Sequence, residues 1–424
     1  MTDQIVRVYV DLEGVSHFVG RLYSRFAKGR ESASFLYDES WLRHASHFGL
    51  EPALPLDPAP FHTKSSQQVF GSIGDSAPDR WGRNLLRSAE RKRAETEGRA
   101  PRTLGELDYL LGVSDFTRAG ALRFRFETEG PFLADAKAHI VPPLVQLPAL
   151  LAASNRFESD EETPDDIRML LAPGSSLGGA RPKASILGKD GNLLIAKFPS
   201  VHDTYDVIRW EAVTTTLARM AGVTVADSSL NLVGGRSVLI LRRFDRQGGI
   251  RIPFLSAMSL LGASDGEDHS YLEIVDTLRQ FGAAVKEDLH EIWRRIVFNV
   301  LVSNTDDHLR NHAILFEGQR GWRLSPAFDL NPTPRDVKDH VLSTSIVREN
   351  VPTASIGLAL SVIKEFALKP DEANAILGDV AGATRKWRDV AARYGLEKAA
   401  IDRMASAFEH NEAAKARGLL TPLT

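Results

Sequence analysis

The chain has 424 residues, 43% apolar and 25% charged, with a formal net charge of −3. This predicts a soluble globular protein of two or three packed domains, with no global positive field to draw it to nucleic acid. It has no cysteines, which excludes disulfides, thiolate metal sites and cysteine nucleophiles.

The N-terminus alternates, with Val6, Val8, Val10 and Leu12 on one side and Arg7, Tyr9 and Asp11 between them. Glu13-Gly14 turns the chain into a second strand over Val15–Tyr23, and Ser32–Tyr37 reads as a third, which predicts a small antiparallel sheet. This start lacks the basic-then-apolar layout of a signal peptide. No apolar run approaches the roughly 18 residues of a bilayer span, so no membrane role and a cytoplasmic location are expected. Residues 66–118 look helical and polar, followed by a strand over Ala121–Phe126. Within Arg87–Arg102, six basic residues oppose three acidic ones. That stretch reads as a solvated helix end and loop, or as a contact for a partner or a phosphate backbone.

Gly130, Pro131, Pro142 and Pro143 mark a linker over 127–145. Helical pattern returns at Leu144–Ala153 and Pro164–Leu171. A glycine-containing loop, Ala172–Lys183, precedes two short strands, Ala184–Leu187 and Leu193–Phe198. A helix is expected from Val207 to Ala221, with Asp206 as its cap and Gly222 at its end. Leu230–Val233, Gly234-Gly235 and Ser237–Arg243 give a hairpin signal. Beyond about 252 the chain reads mainly as helix. The clearest segment is Glu287–Val302, whose Leu289, Ile292, Trp293, Ile296, Val297, Val300 and Leu301 share one face. It runs into Asn304-Thr305-Asp306-Asp307-His308-Leu309-Arg310-Asn311. A hairpin, Ala313–Phe316 with Trp322–Leu324, follows, and then Pro326-Ala327-Phe328-Asp329.

These last stretches suggest phosphoryl transfer, which is mostly positioning and charge neutralisation. Asp306 has the Asp-to-Asn spacing of a kinase catalytic loop and would orient the attacking hydroxyl and take its proton. Asp307 lacks that spacing and reads as a solvated neighbour. Asn311 and Asp329 are oxygen donors suited to Mg²⁺. Lys197 lies within a strand, where a nucleotide's phosphates would supply its counter-charge, and Glu211 on the next helix could hold it. The loop before it is not a Walker A sequence. Its Gly178 and Gly179 still permit close backbone approach to phosphate, and Lys183 could reach one. His308 reads as a loop-ordering or nucleotide-contacting residue, not a zinc ligand.

With these residues in place, the chain resembles the HipA family of serine/threonine kinases, the toxin halves of bacterial toxin–antitoxin pairs. Ser176-Leu177-Gly178-Gly179-Ala180-Arg181-Pro182-Lys183 is similar to the family's ATP loop, and Arg243-Phe244-Asp245-Arg246 to its hinge. Phe298–His308 with Asn311 is similar to its catalytic loop, and Ser325–Asp329 to its metal motif. Asp75-Ser76-Ala77-Pro78-Asp79-Arg80-Trp81 and Gly120–Phe124 resemble its N-terminal subdomain.

The resemblance implies an α+β, bilobal protein-kinase-like fold, with a β-rich N-terminal lobe and an all-helical C-terminal lobe. Its implied parts are an N-terminal subdomain over 1–128, a nucleotide-binding lobe over 129–250 and a catalytic lobe over 251–424. It implies ATP and Mg²⁺ as cofactors and Asp306 as the catalytic residue. Gly178, Gly179, Ala180, Arg181, Pro182, Lys183 and Lys197 would meet the phosphates, and Arg242, Arg243 and Phe244 the adenine. His308, Asn311, Phe328 and Asp329 would complete the nucleotide and metal site. Ser176, or its neighbour Ser175, would be autophosphorylated. Arg242 stands where an acidic hinge residue is often seen. The implied partners are a HipB-like helix-turn-helix antitoxin, operator DNA through that antitoxin, and a protein substrate; the family's targets include aminoacyl-tRNA synthetases. Two rival readings stay open: a small-molecule or lipid-type kinase, and a non-catalytic co-repressor. The intact Lys197, Asp306, Asn311 and Asp329 argue against the second.

Overall fold

The structure is a computed structural model that describes residues 4–27, 30–126, 129–133, 141–171 and 179–420. The chain divides into two compact units. The first is Met1–His202 with Asn231–Ser264, and the second is Asp203–Leu230 with Asp265–Thr424. Among the described residues, no helix is long and apolar enough to cross a membrane.

The first unit is sheet-rich. Strands β1 (Gln4–Leu12), β2 (Val15–Ala27), β3 (Arg30–Tyr37), β4 (Phe61–His62) and β5 (Leu122–Arg125) form one sheet in the order β4-β3-β2-β1-β5. The period-2 pattern of β1 works as expected: Val6, Val8 and Val10 are fully buried, while Arg7 is half-buried on the opposite face. The inner face packs on Leu22, Phe35, Trp41, Phe70 and Phe124. A second sheet, in the order β6-β7-β9-β8, consists of β6 (Lys183–Leu187), β7 (Leu193–Lys197), β8 (Ser228–Val233) and β9 (Arg236–Arg242). Its apolar side chains join Trp81, Leu85, Leu150 and Phe198 in a separate core.

The second unit is mainly helical. Its longest helix, Val285–Val302, buries every residue of its last two turns, from Arg295 onward. The apolar stripe explains most of this, but two polar side chains also go inside. Arg295 bonds Glu291 (2.9 Å) and the Ser325 carbonyl (2.7 Å), and Asn299 faces the loop that follows. Ser303 ends the helix in the left-handed conformation (φ 52°), and its hydroxyl donates to the Ala407 carbonyl at 2.8 Å. The hairpin Ala313–Phe316 and Trp322–Leu324 is set into this helical part, with Ile314 opposite Leu324.

Candidate active site

The loop after helix Val285–Val302 sorts its two acidic residues sharply. Asp306 is exposed, and its carboxylate has no hydrogen-bond partner among the described residues. Asp307 is 2% exposed. One of its carboxylate oxygens accepts from the Tyr271 hydroxyl (2.5 Å), Asn299 Nδ2 (2.7 Å) and His312 Nε2 (2.7 Å). Burial alone would raise the Asp307 pKa. The nearby His312, with hydrogen bonds from His312 and Tyr271, outweighs burial and holds it below the usual carboxylate range. Burial and the neighbouring Asp307 push the Tyr271 phenol well above its ordinary value. The expectation of a solvated Asp307 is therefore wrong. It is the buried post on which the loop is built, and its position leaves Asp306 facing solvent.

The loop backbone is tied down at several points. Thr344 donates to the Asp307 carbonyl at 2.6 Å, and Ser343 to that of Thr305 at 2.9 Å. Lys338 Nζ reaches the same Thr305 carbonyl at 3.3 Å. Asn311 is buried, and its Nδ2 donates to the Asp306 carbonyl at 3.0 Å. Its Oδ1 is buried without a hydrogen-bond partner among the described residues. A buried orphan oxygen costs about 1–3 kcal/mol, so it calls for a ligand that supplies positive charge or a proton.

The Phe328-Asp329 segment belongs to the same neighbourhood. Asn331 N donates to Asn304 Oδ1 at 3.3 Å, and Thr333 N to the Ser303 carbonyl at 3.0 Å. Asp329 has φ 56°, a left-handed conformation that costs a non-glycine residue energy and clusters at functional sites. His308 is half-buried, with Nδ1 unpartnered among the described residues. Among the described residues no group of three His, Asp or Glu side chains could hold a metal ion by itself.

The remaining candidates belong to the first unit, save Glu211, which is buried on helix Val207–Met220 of the second. Lys183 and Lys197 sit opposite each other on β6 and β7, an arrangement in which like charges repel. Lys183 resolves this locally. It is 3% exposed and pairs with Asp79 at 2.6 Å. Asp79 also caps helix Arg80–Thr96 by accepting from Gly82 N at 3.0 Å. Gly179 (φ +106°) passes directly over this pair, and a Cβ there would lie 3.1 Å from Lys183 Nζ. Lys183 is thus held by an internal carboxylate rather than left as a free cation. Ala180 and Gly179 are exposed, Arg181 is half-buried and Pro182 is buried. Ser175, Ser176 and Gly178 lie outside the described residues.

At the expected hinge, Arg242 is exposed and Phe244 half-buried. The Arg243 side chain is committed to the fold. It forms a bidentate pair with Asp245 (2.8 and 2.6 Å) and donates to the Thr117 carbonyl at 2.6 Å. Asp245, fully buried, also accepts from Gly120 N (2.8 Å) and Arg246 Nη1 (2.8 Å). The Arg243 backbone N–H donates to the Leu193 carbonyl at 3.4 Å, which leaves the Arg243 carbonyl for a ligand.

Comparisons with known proteins fit this geometry. Residues 175–388 match the family described as the HipA-like C-terminal domain. The chain belongs to this family. A protein of Sinorhizobium fredii (strain NBRC 101917 / NGR234) named "Putative kinase Y4mE" is 26% identical over 366 residues, 78% of each chain. A second from the same strain, "Putative kinase Y4dM", is 28% identical over 214 residues, 42% of this chain and 50% of its own. A chain in the solved complex of the Shewanella oneidensis MR-1 toxin–antitoxin system, HipA, HipB and operator DNA, superposes with a TM-score of 0.65. It covers 97% of both chains at 17% identity. The HipA fold, sheet-rich first and helical after, is therefore the fold of this chain. Tyr271, Asn299 and His312 were missed as site residues in the sequence. Only His312, five residues beyond Asp307, carried a local signal.

Proposed function

We propose that the chain is a Mg-ATP-dependent serine/threonine protein kinase acting as a HipA-like toxin. The observation that carries this reading is the division of labour in the Asn304–Asn311 loop. A buried Asp307 fixes the loop, and the exposed Asp306 carboxylate bonds no described group. Asn311 holds the Asp306 carbonyl while its own Oδ1 stays unsatisfied. An exposed carboxylate on a rigid loop suits a general base for a substrate hydroxyl.

In this reading Asp306 orients a serine or threonine hydroxyl and takes its proton. Asn311 and Asp329 would hold Mg²⁺, a fit that rests on the orphaned Asn311 Oδ1 and an all-oxygen donor pair. The ion would neutralise charge on the transferring phosphoryl group. Lys197 and the backbone of Gly178–Lys183 would contact the phosphates, with Lys183 braced by Asp79. Arg242, Arg243 and Phe244 would meet the adenine, Arg243 through its backbone. His308 and Phe328 would flank the nucleotide. Phosphate on Ser176, or on Ser175, would add about −2 charge beside a phosphate-binding loop and switch it off by repulsion.

The HipA–HipB–operator complex supports a HipB-like antitoxin as partner, with operator DNA reached through it. In this reading the protein target is a translation component. Mass spectrometry of the purified chain after incubation with Mg-ATP tests the activity. Phosphate on Ser176 or Ser175 is expected; none there, with phosphate on an added metabolite, would assign a small-molecule kinase instead. Overexpressed Asp306→Gln should lose growth inhibition yet still bind the antitoxin. Equal toxicity would rule out phosphotransfer as the cause.

A further inference from the structure

Beside the exposed Asp306 stands a cation that the proposed site does not use. Residues 333–344 are strapped to residues 303–307 at both ends, all within the second unit. Thr333 N donates to the Ser303 carbonyl at 3.0 Å, and Thr344 Oγ1 to that of Asp307 at 2.6 Å. Between these ties Lys338 is exposed, and its Nζ lies 3.3 Å from the Thr305 carbonyl oxygen. That carbonyl shares a peptide unit with the Asp306 nitrogen. Covalent geometry therefore keeps Nζ within about 9 Å of the Asp306 carboxylate carbon.

The ammonium is not committed to that contact. Ser343 donates to the same oxygen from both Oγ (2.9 Å) and N (3.2 Å), and a carbonyl oxygen has only two lone pairs. Lys338 is the third and longest donor, beyond the usual range of an N–H···O bond. It forms no ion pair with any described residue. Of the two carboxylates on its own segment, Asp336 pairs with Arg403 at 3.2 Å, and Asp339 pairs with no described cation. Asp306 does not neutralise it either. A base and a cation this close, and unpaired with each other, suit a group that needs both. A hydroxyl within about 3 Å of the base, attacking from about 3–3.5 Å, puts its phosphorus roughly 6 Å from the carboxylate. That is within the sweep of an exposed lysine. A phosphoryl group spreads negative charge over three oxygens, which a rotatable point charge meets without a fixed angle.

We propose that Lys338 binds the transferring γ-phosphoryl group of the nucleotide, an assignment that rests on the kinase reading above. As the bond from the substrate hydroxyl oxygen to the γ-phosphorus forms, the bond from that phosphorus to the β–γ bridging oxygen breaks. ADP leaves with the electron pair, and Asp306 takes the hydroxyl proton. Lys338 keeps its own proton and supplies charge to the phosphoryl oxygens. A lysine that faced an acidic residue of the protein substrate instead would be blind to the γ-phosphate.

The test is isothermal titration calorimetry of the full chain with Mg²⁺, using ADP and the non-hydrolysable β,γ-imido analogue of ATP. Lys338→Met should weaken binding of the analogue about tenfold, the scale of one lost hydrogen bond to a charged group, and leave ADP binding unchanged. It should also slow phosphate transfer to protein by about 10²–10³-fold, as loss of one charge-stabilising donor does, with its thermal melt unchanged. Arg335→Met removes another exposed cation of the same segment and should change neither affinity. Wild type that binds neither nucleotide would overturn the kinase reading and this proposal together. Wild type that binds both, with a folded Lys338→Met that binds the analogue equally well, would overturn this proposal alone; slower transfer to protein in that variant would then move Lys338 to the protein substrate. Equal weakening of analogue and ADP, or the same loss in Arg335→Met, would overturn it too.

Discussion

Asp307→Ala removes the shared acceptor of three buried donors, those of Tyr271, Asn299 and His312. Each buried donor left unpaired costs about 1–3 kcal/mol. Asn299 Nδ2 already lies 3.4 Å from the Tyr271 hydroxyl and can turn to it, so two donors bear most of the loss. The expected destabilisation is about 3–5 kcal/mol, the range for removing one partner of a buried charged network. Against a total of about 5–15 kcal/mol for a folded protein, the loss should also open the loop locally. Hydrogen exchange across residues 299–312, with urea denaturation, reads both effects. Asp306→Ala is the paired control: its exposed carboxylate bonds no described group, and its stability should stay within about 0.5 kcal/mol of wild type. Wild-type exchange and midpoint in Asp307→Ala, or equal losses in both variants, would refute the assignment of Asp307 as the loop's anchor.

The depressed Asp307 pKa sets a sign for acid unfolding. Its contribution is complete above the unfolded value of about 3.9 and is lost as pH falls through the lower folded value. The stability gap between wild type and Asp307→Asn should therefore be flat from neutral to about pH 4 and shrink below it, as denaturation midpoints across that range would show. Lys183→Met removes the buried cation that Asp79 pairs with and should cost about 1.5–3 kcal/mol, the range for a hydrogen bond to a charged group, by thermal melt without any nucleotide, whereas a purely ligand-facing lysine would cost almost nothing. Asp245→Ala leaves Arg243 and Arg246 without their shared carboxylate and should abolish soluble expression or lower the melting temperature by many degrees, read by circular dichroism.

Local pattern carried much of the fold. Alternation in Val6–Leu12 located β1, and the apolar stripe of Glu287–Val302 located a helix that runs from Val285. The hairpin at Ala313–Leu324 followed from its turn residues. Strands Arg246–Gln247, Ile250–Arg251 and Phe254–Ser256 did not emerge, because two or three residues cannot display a period. The sequence also placed Asp306 and Asn311 in one loop by spacing alone. It misjudged Asp307, since an acidic residue in a polar loop reads as solvated until Tyr271, 36 residues away, closes over it. Nor did local pattern show that the Arg243 and Asp245 side chains are committed to the fold. Their partners, the backbone groups of Thr117 and Gly120, are more than a hundred residues distant.

The most direct measurement of the central claim is transfer of the labelled γ-phosphate of ATP to protein by the wild-type chain and by Asp306→Asn, at matched folding and with Mg²⁺ present. Wild type should incorporate phosphate on serine or threonine. The variant, lacking the general base, should be slower by about 10²–10⁴-fold with its thermal melt unchanged. Equal incorporation by both proteins would contradict Asp306 as the base. No incorporation by wild type on itself, on any protein of a cell extract or on any metabolite of that extract would contradict phosphoryl transfer altogether.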